Sequence, residues 1–320
     1  MSEVYARLRD AHARLVRDIH SHPLGDLGHL GVTLVTSGAR LAATTAPAWA
    51  GNAVAVAAAC ATRGLEVGDT VITNDPFAGS PHVQDHWVVA GLSGGATVVV
   101  QAHLADVGGQ SLGNYYPLAD EVWQEGVRTT PVKLHRAGKL ERDVLELVKL
   151  NSRLPLLIEH DLLTLAETAL QLAEELDEVA APAPPVAPHV EPAAVETRLH
   201  NCAGEDVTIA LRIEPGTRIR FDFAGSSAQV RGFVNATLPT TTSSVAAACG
   251  AGLDAIEVTA PAGCVVNCSF AVATSWSPYG TYDAIASLVR RGLGLPEPPE
   301  RELSRPAVRI DGCRREGCPF

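Results

Sequence analysis

Twelve residues near the middle of the chain, "APAPPVAPHVEP" from Ala181 to Pro192, carry five prolines. Each proline removes a backbone donor and locks φ, so no helix or central strand can run through such a stretch. The 320-residue chain is therefore expected to divide there. The expected regions are 1–180 with N-terminal helices and a central hairpin, a linker at 181–192, a β-rich region with a terminal helix at 193–300, and a tail at 301–320.

Before the linker, residues 3–20 place Val4, Leu8, Leu15 and Ile19 on one helical face. "GHLGVTLVTSGARL" reads as strand, turn and return. "PAWAGNAVAVAAACATRG" reads as a buried Ala-rich helix, with Pro47 in its first turn and Gly64 at its end. "GDTVIT" is a short strand. "HWVVAGL" and "ATVVVQAHLADV" are strands joined by "SGG", a hairpin signal. The stretch "PLADEVWQEGVRTTPVKLHRAGKL" reads as loop, with Trp123 as its anchor. Two helices follow, Arg142 to Leu150 and Leu156 to Val179.

After the linker, "EDVTIALRI" and "TRIRFDFAG" alternate around "EPG", which predicts an antiparallel hairpin with one buried face. "TTTSSVAAACGAG" is expected to open a helix with Ser/Thr caps. "AIEVTAPAG" and "VVNCSFAVA" are expected strands, and "YDAIASLVRRGLGL" a last helix. No internal repeat is present. The fold class expected is α+β, with mixed and antiparallel sheets and flanking helices.

The formal net charge is -11 and the pI about 5.4. A nucleic-acid binder would show basic clustering instead. The longest apolar run, Ala53 to Ala61, is too short to span a membrane. "MSEVYARLRDAHARL" is a mixed-charge amphipathic helix rather than a signal peptide. A cytoplasmic protein is expected. The seven cysteines are an odd number, which favours free thiols over a disulfide framework. "CVVNC" and "CRREGC" have spacings a zinc site can use, but thiols on a strand and in a tail are the preferred reading.

The chemistry concentrates between Asn74 and Asp106. Asp75, His82, Asp85 and His103 are carboxylates and imidazoles, a set that suits a divalent ion such as Zn, Mn or Fe(II). Alternation in the second strand puts Gln101 and His103 on one face, opposite Val98, Val100 and Ala102. The hairpin sets Asp85 at the start of one strand and His103 at the end of the other, so the two converge. Asp106, just beyond, is placed to orient a ligand or a water. Turn chemistry and surface histidines are the plainer reading of any one of these residues. A second group, His12, His20, His22 and His29, could bind metal, but a polar loop is the preferred reading. No G-x-x-x-x-G-K-[ST] loop or dinucleotide fingerprint occurs in the sequence, so ATP has no Walker-type site here. "GSSAQVRG" lacks the G-x-S-x-G nucleophile elbow.

Five blocks in order resemble the hydantoinase B/oxoprolinase family: "GDTVITNDPFAGSPHVQDHWVV", "AHLADVGG", "EGVRTTPVKLHRAGKLERDVLELVKLNSR", "FDFAGSSAQVRGFVNAT" and "IEVTAPAGCVVNCSF". They cover Gly68 to Phe270. The resemblance implies a divalent metal site (Zn, Mn or Fe). Asp75 matches the family's N-D-P element, His82 and Asp85 its H-x-x-D element, and His103 the first His of A-H-H-A-D. It implies that ATP is handled by a separate hydantoinase A-like subunit of kinase fold, within an oligomeric complex. The implied chemistry is phosphorylation of an amide oxygen, then attack by water activated at the metal, with Asp106 or His86 as general base. The implied substrate is a small amide, or a ketone in an ATP-dependent carboxylase of the same family. A non-catalytic scaffold subunit is the remaining alternative. The chain departs from the family in being shorter, in carrying Leu104 at the second His of A-H-H, and in placing His86 where an apolar or hydroxyl residue is usual.

Overall fold

A computed structural model describes residues 2–21, 29–176, 187–202 and 205–296. His22, the first half of the Pro-rich stretch, and the expected tail with Cys313 and Cys318 lie outside the described residues. The fold is α+β and forms two units, residues 1–114 with 126–183, and residues 115–125 with 184–320.

The first unit opens with α1 (Ser2–Asp18), which buries Leu8, Ala11 and Leu15 at helical spacing, with Ile19 just beyond. β1 (Gly31–Val35) and β2 (Leu41–Thr44) form the expected hairpin. α2 (Ala50–Ala61) follows a single 3-10 turn at Pro47–Trp49. Its buried residues include Ala50, Gly51, Ala53 and Ala57, small enough for close approach to the sheet. β3 (Thr70–Thr73), β4 (Asp85–Gly91) and β5 (Thr97–His103) come next. β6 (Val132–Arg136) and β7 (Lys139–Leu140) complete a seven-stranded sheet of order β2-β1-β5-β4-β3-β6-β7. Every pairing in it is antiparallel. Both faces of β4 and β5 are buried, which is why they read as near-continuous apolar runs.

The β6–β7 hairpin was expected as loop. Its turn places Ala137 at φ 47° and Gly138 at φ 77°, the pair of left-handed residues a two-residue hairpin turn needs. Alanine at the first position hides the signal that Asn-Gly would have shown. α4 (Arg142–Lys149) and α5 (Pro155–Glu175) close the unit, α5 lying against β4 and β5 and carrying α1 on its flank.

The second unit takes in Tyr115–Glu125, which the sequence reading had placed in the first region. That segment holds α3 (Val122–Glu125). Trp123, expected as an anchor, is 53% exposed and stands edge-on to Phe270 at 5.3 Å. β8 (Ala193–Leu199), β9 (Val207–Glu214), β10 (Ile219–Asp222) and β11 (Ile256–Thr259) form a mixed sheet of order β11-β10-β9-β8, with β10 and β11 parallel. β9 buries Val207, Ile209, Leu211 and Ile213 on one face, as its alternation predicts. β8 is an edge strand with Glu196 and Arg198 on its exposed positions. α6 (Leu238–Cys249) and α7 (Tyr282–Gly292) pack together and share a core with Phe221, Phe223 and Phe233.

Two local expectations are corrected. The threonines and serines of "TTTSS" do not cap α6 but lie inside it, where Thr241 Oγ1 donates to Val266 O and Ser244 Oγ to Tyr282 O. "VVNCSFAVA" is not a strand. Its backbone closes tight turns, with an isolated bridge between Cys264 and Asn267, because Val265 and Val266 bury within a turn. Cys264 and Cys268 are free thiols, as are Cys60 and Cys249. Among the described residues no helix is long and apolar enough to cross a membrane.

Candidate metal centre

The register of three strands builds one row across the first sheet. Asp85 at the start of β4 pairs with His103 at the end of β5. Gly31 of β1 pairs with Gln101 of β5. Continued two residues outward, that ladder brings His29 opposite His103. Gln101 Nε2 donates to His29 O at 3.0 Å and holds the incoming backbone there. His82 comes from the turn before β4, three residues ahead of Asp85. Ser80 braces that turn: its hydroxyl donates to His82 O at 2.8 Å, and it accepts from Trp87 Nε1 at 2.9 Å.

The four side chains are buried and each offers a ligand atom within 4.8 Å of the others. His29 Nδ1 lies 2.7 Å from Asp85 Oδ2. His82 Nε2 and His103 Nδ1 lie 3.1 and 3.2 Å from Asp85 Oδ1. Yet Asp85 Oδ1 and His103 Nδ1 have no hydrogen bond of acceptable angle among the described residues. Buried polar atoms seldom go without one. Bonds of about 2.1 Å in a tetrahedron set ligand atoms roughly 3.4 Å apart. Close approach without hydrogen-bond alignment is what atoms aimed at a common ion show. The donor set of three imidazoles and one carboxylate fits Zn, Mn or Fe(II).

The electrostatics agree. Burial alone would raise the Asp85 carboxyl, but His29 and His82 outweigh it and hold the group well below the usual carboxylate range. Asp85 is therefore an anion. Burial lowers His82 to about 4 despite Asp85 beside it, so near neutral pH its ring is neutral and has a lone pair to give.

Of the residues singled out in the sequence, His82, Asp85 and His103 come together. Asp75 does not join them. Its Oδ2 accepts from Arg128 Nη1 at 2.7 Å, and its Oδ1 caps the Pro76–Ala78 turn by accepting from Phe77 N at 3.0 Å. His86 follows Asp85 on a strand and so faces the other side of the sheet. There its Nδ1 lies 3.4 Å from Gln84 O, and burial lowers its pKa to about 4. Asp106 is occupied as an acceptor. Oδ1 takes Gly108 N at 3.1 Å and Arg153 N at 2.9 Å, and Oδ2 takes Arg153 Nη1 at 2.9 Å.

His29 is the residue left out of the expected ligand set, because it is grouped with neighbouring histidines for which a polar loop is preferred over a metal site. Those neighbours disperse: His12 Nδ1 sits 3.0 Å from Thr45 Oγ1, and His20 stacks on His160. The available signal was position, since His29 lies two residues before a strand whose partner carries His103.

A sequence model of the family Hydantoinase B/oxoprolinase matches residues 11–183 and 189–299. Among curated proteins, the beta subunit of caprolactamase from Pseudomonas jessenii is 33% identical over 99 residues, covering 30% of this chain and 17% of that subunit. The fold is shared with the crystal structure of ATP-dependent caprolactamase from Pseudomonas jessenii, at TM-score 0.75 and 20% identity over 91% of this chain and 59% of that one. It is shared also with a nucleotide-free structure of acetone carboxylase, at TM-score 0.70 and 18% identity over 91% of this chain and 46% of that one. The chain thus spans less than two thirds of the length of these relatives.

Proposed function

Because the chain belongs to the hydantoinase B/oxoprolinase family, we propose that it is the metal-binding subunit of an ATP-dependent cyclic-amide hydrolase, acting on a phosphorylated amide. The observation that carries this reading is the buried convergence of His29, His82 and His103 on Asp85, where Asp85 Oδ1 and His103 Nδ1 come within 3.2 Å without an aligned hydrogen bond. His82, Asp85 and His103 hold the ion, with His29 as the fourth member of the set. A divalent ion bound there would supply Lewis acidity and a water of lowered pKa.

The chain's own residues prepare that centre. Asp85 contributes a permanent negative charge. His29 occupies Asp85 Oδ2, which leaves Oδ1 to the side of His82 and His103. Asp106 acts as a positioning residue: with Arg153 it ties the Gly108–Gly109 turn beyond β5, since Arg153 also donates to Gly108 O and Gly109 O. ATP falls to a hydantoinase A-like subunit of kinase fold, a division of labour supported by the missing Walker loop and by the multi-subunit caprolactamase relative. The likeness to acetone carboxylase makes a ketone with bicarbonate the second substrate class to assay.

The test is reconstitution with that partner. ATP-dependent opening of a lactam or hydantoin should require both chains, and Asp85→Ala should abolish it while the complex still assembles. Full turnover by the Asp85→Ala complex would leave only a scaffold role. Turnover of ketone and bicarbonate in place of amides would move the reading to a carboxylase.

A further inference from the structure

β8 ends the sheet of the second unit, and among the described residues no strand pairs with its outer edge. Its ladder to β9 runs from Ala193 to Leu199 without a bulge. The hydrogen bonds of β9 show which way β8 points. Thr208 and Ala210 turn their backbone groups to Ser227 and Ser226, on the side away from β8. Opposite them in the ladder stand Arg198 and Glu196. Such a pair is the non-hydrogen-bonded kind, so both its members turn their N–H and C=O groups outward. Glu196 and Arg198 therefore present their backbone groups on the open edge. Arg291 Nη2, which donates to Glu196 O, agrees with that direction.

Exposed edges are usually blunted by Lys, Pro or a bulge. "AAVETRL" has none of these. Its exposed positions instead hold one acid and one base, and neither Glu196 nor Arg198 is in an ion pair among the described residues. That pattern is self-complementary. A two-fold axis through the middle of an antiparallel β8 pair can pass at Glu196, Thr197 or Arg198. At Glu196 it would set carboxylate against carboxylate, and at Arg198 guanidinium against guanidinium. Like charges directly opposite are destabilising. At Thr197 each Glu196 faces an Arg198, Thr197 faces its own copy, and Val195 faces Leu199 on the half-buried side of the strand.

We infer that β8 is a dimerisation edge whose occupant is β8 of a second copy of this chain, antiparallel and centred on Thr197. Each facing Glu196 and Arg198 then exchange two backbone hydrogen bonds as well as opposite charges. A carbonyl oxygen has two lone pairs, so Arg291 keeps its place on Glu196 O. The contact is isologous and closes at two copies, joining one four-stranded sheet to the other.

Sedimentation velocity of the full chain over a concentration series tests this. The parent should show a monomer–dimer equilibrium. Glu196→Arg and Arg198→Glu, each of which opposes like charges twice in the dimer, should each weaken it by about tenfold or more. The double variant Glu196→Arg/Arg198→Glu restores opposite charges and should regain the parent's dimer affinity. Arg198→Pro removes only an N–H on the open edge, which an edge strand tolerates. It should be monomeric with an unchanged circular dichroism spectrum. A parent that stays monomeric into the high micromolar range would overturn the edge. So would a dimer indifferent to the single charge reversals, or one that the double variant fails to restore.

Discussion

Asp85 and His103 are direct cross-strand partners, 18 residues apart in sequence, with Asp85 Oδ1 and His103 Nδ1 3.2 Å apart in a buried site. On an antiparallel pair such neighbours are fixed by the ladder itself. Their closeness is thus a property of the hairpin and needs no adjustment of side chains over a distance.

Asp85→Asn keeps the size of the side chain and removes its charge. It should cost more metal affinity than the roughly 10–100-fold lost when only an outer partner of a ligand is removed. Metal content by mass spectrometry after gel filtration checks this. Chelation of the parent should lower its unfolding temperature, since an ion at about 100 times its Kd adds roughly 2.7 kcal/mol.

Asp75→Asn should leave bound metal unchanged. It removes the charge facing Arg128 but keeps an oxygen for the Phe77 N–H. Loss of a charged hydrogen bond costs about 1–3 kcal/mol, read in urea unfolding. Loss of the metal with the fold intact would return Asp75 to the ligand set.

Glu125 supplies a pH signature in the second unit. It is fully buried and accepts the backbone N–H groups of Thr274 and Ser275, yet burial raises its pKa to about 7. The folded state then holds a proton that the unfolded chain releases above its ordinary pKa of 4.5. Its contribution is complete below pH 4.5 and is lost as pH rises through 7, a loss of about 3 kcal/mol. Glu125→Gln should remove that slope. The difference between parent and variant is the quantity to read, because buried His82 and His86, held down to about 4, add the opposite slope below pH 6.5.

Gly31→Ala should destabilise the first unit by about 1–3 kcal/mol through overpacking. A Cβ on Gly31 would stand 2.4 Å from the Ala46 Cβ, and β1 here follows directly on His29. Chemical denaturation checks the loss.

Much of this architecture was legible because its signals are local. Apolar runs around a Gly-rich turn marked β4 and β5, period-two alternation marked β9, and 3.6-residue spacing marked α1. The β6–β7 hairpin was not legible because Ala137 takes a left-handed conformation that glycine or asparagine normally advertises. His86 was open to correction from sequence alone, since parity puts it on the face opposite Asp85.

The sequence by itself determined that Asp85 and His103 face each other: two strands joined by one short turn set them at adjoining ends of a hairpin. Tertiary structure decided the rest. His29 reaches Asp85 from 56 residues upstream only because β1 lies on the far side of β5, and Asp75 is drawn off by Arg128, 53 residues downstream. The physical reason is range. A dihedral pattern fixes which face a side chain takes, but which distant segment covers that face is settled by burying apolar surface across the whole sheet.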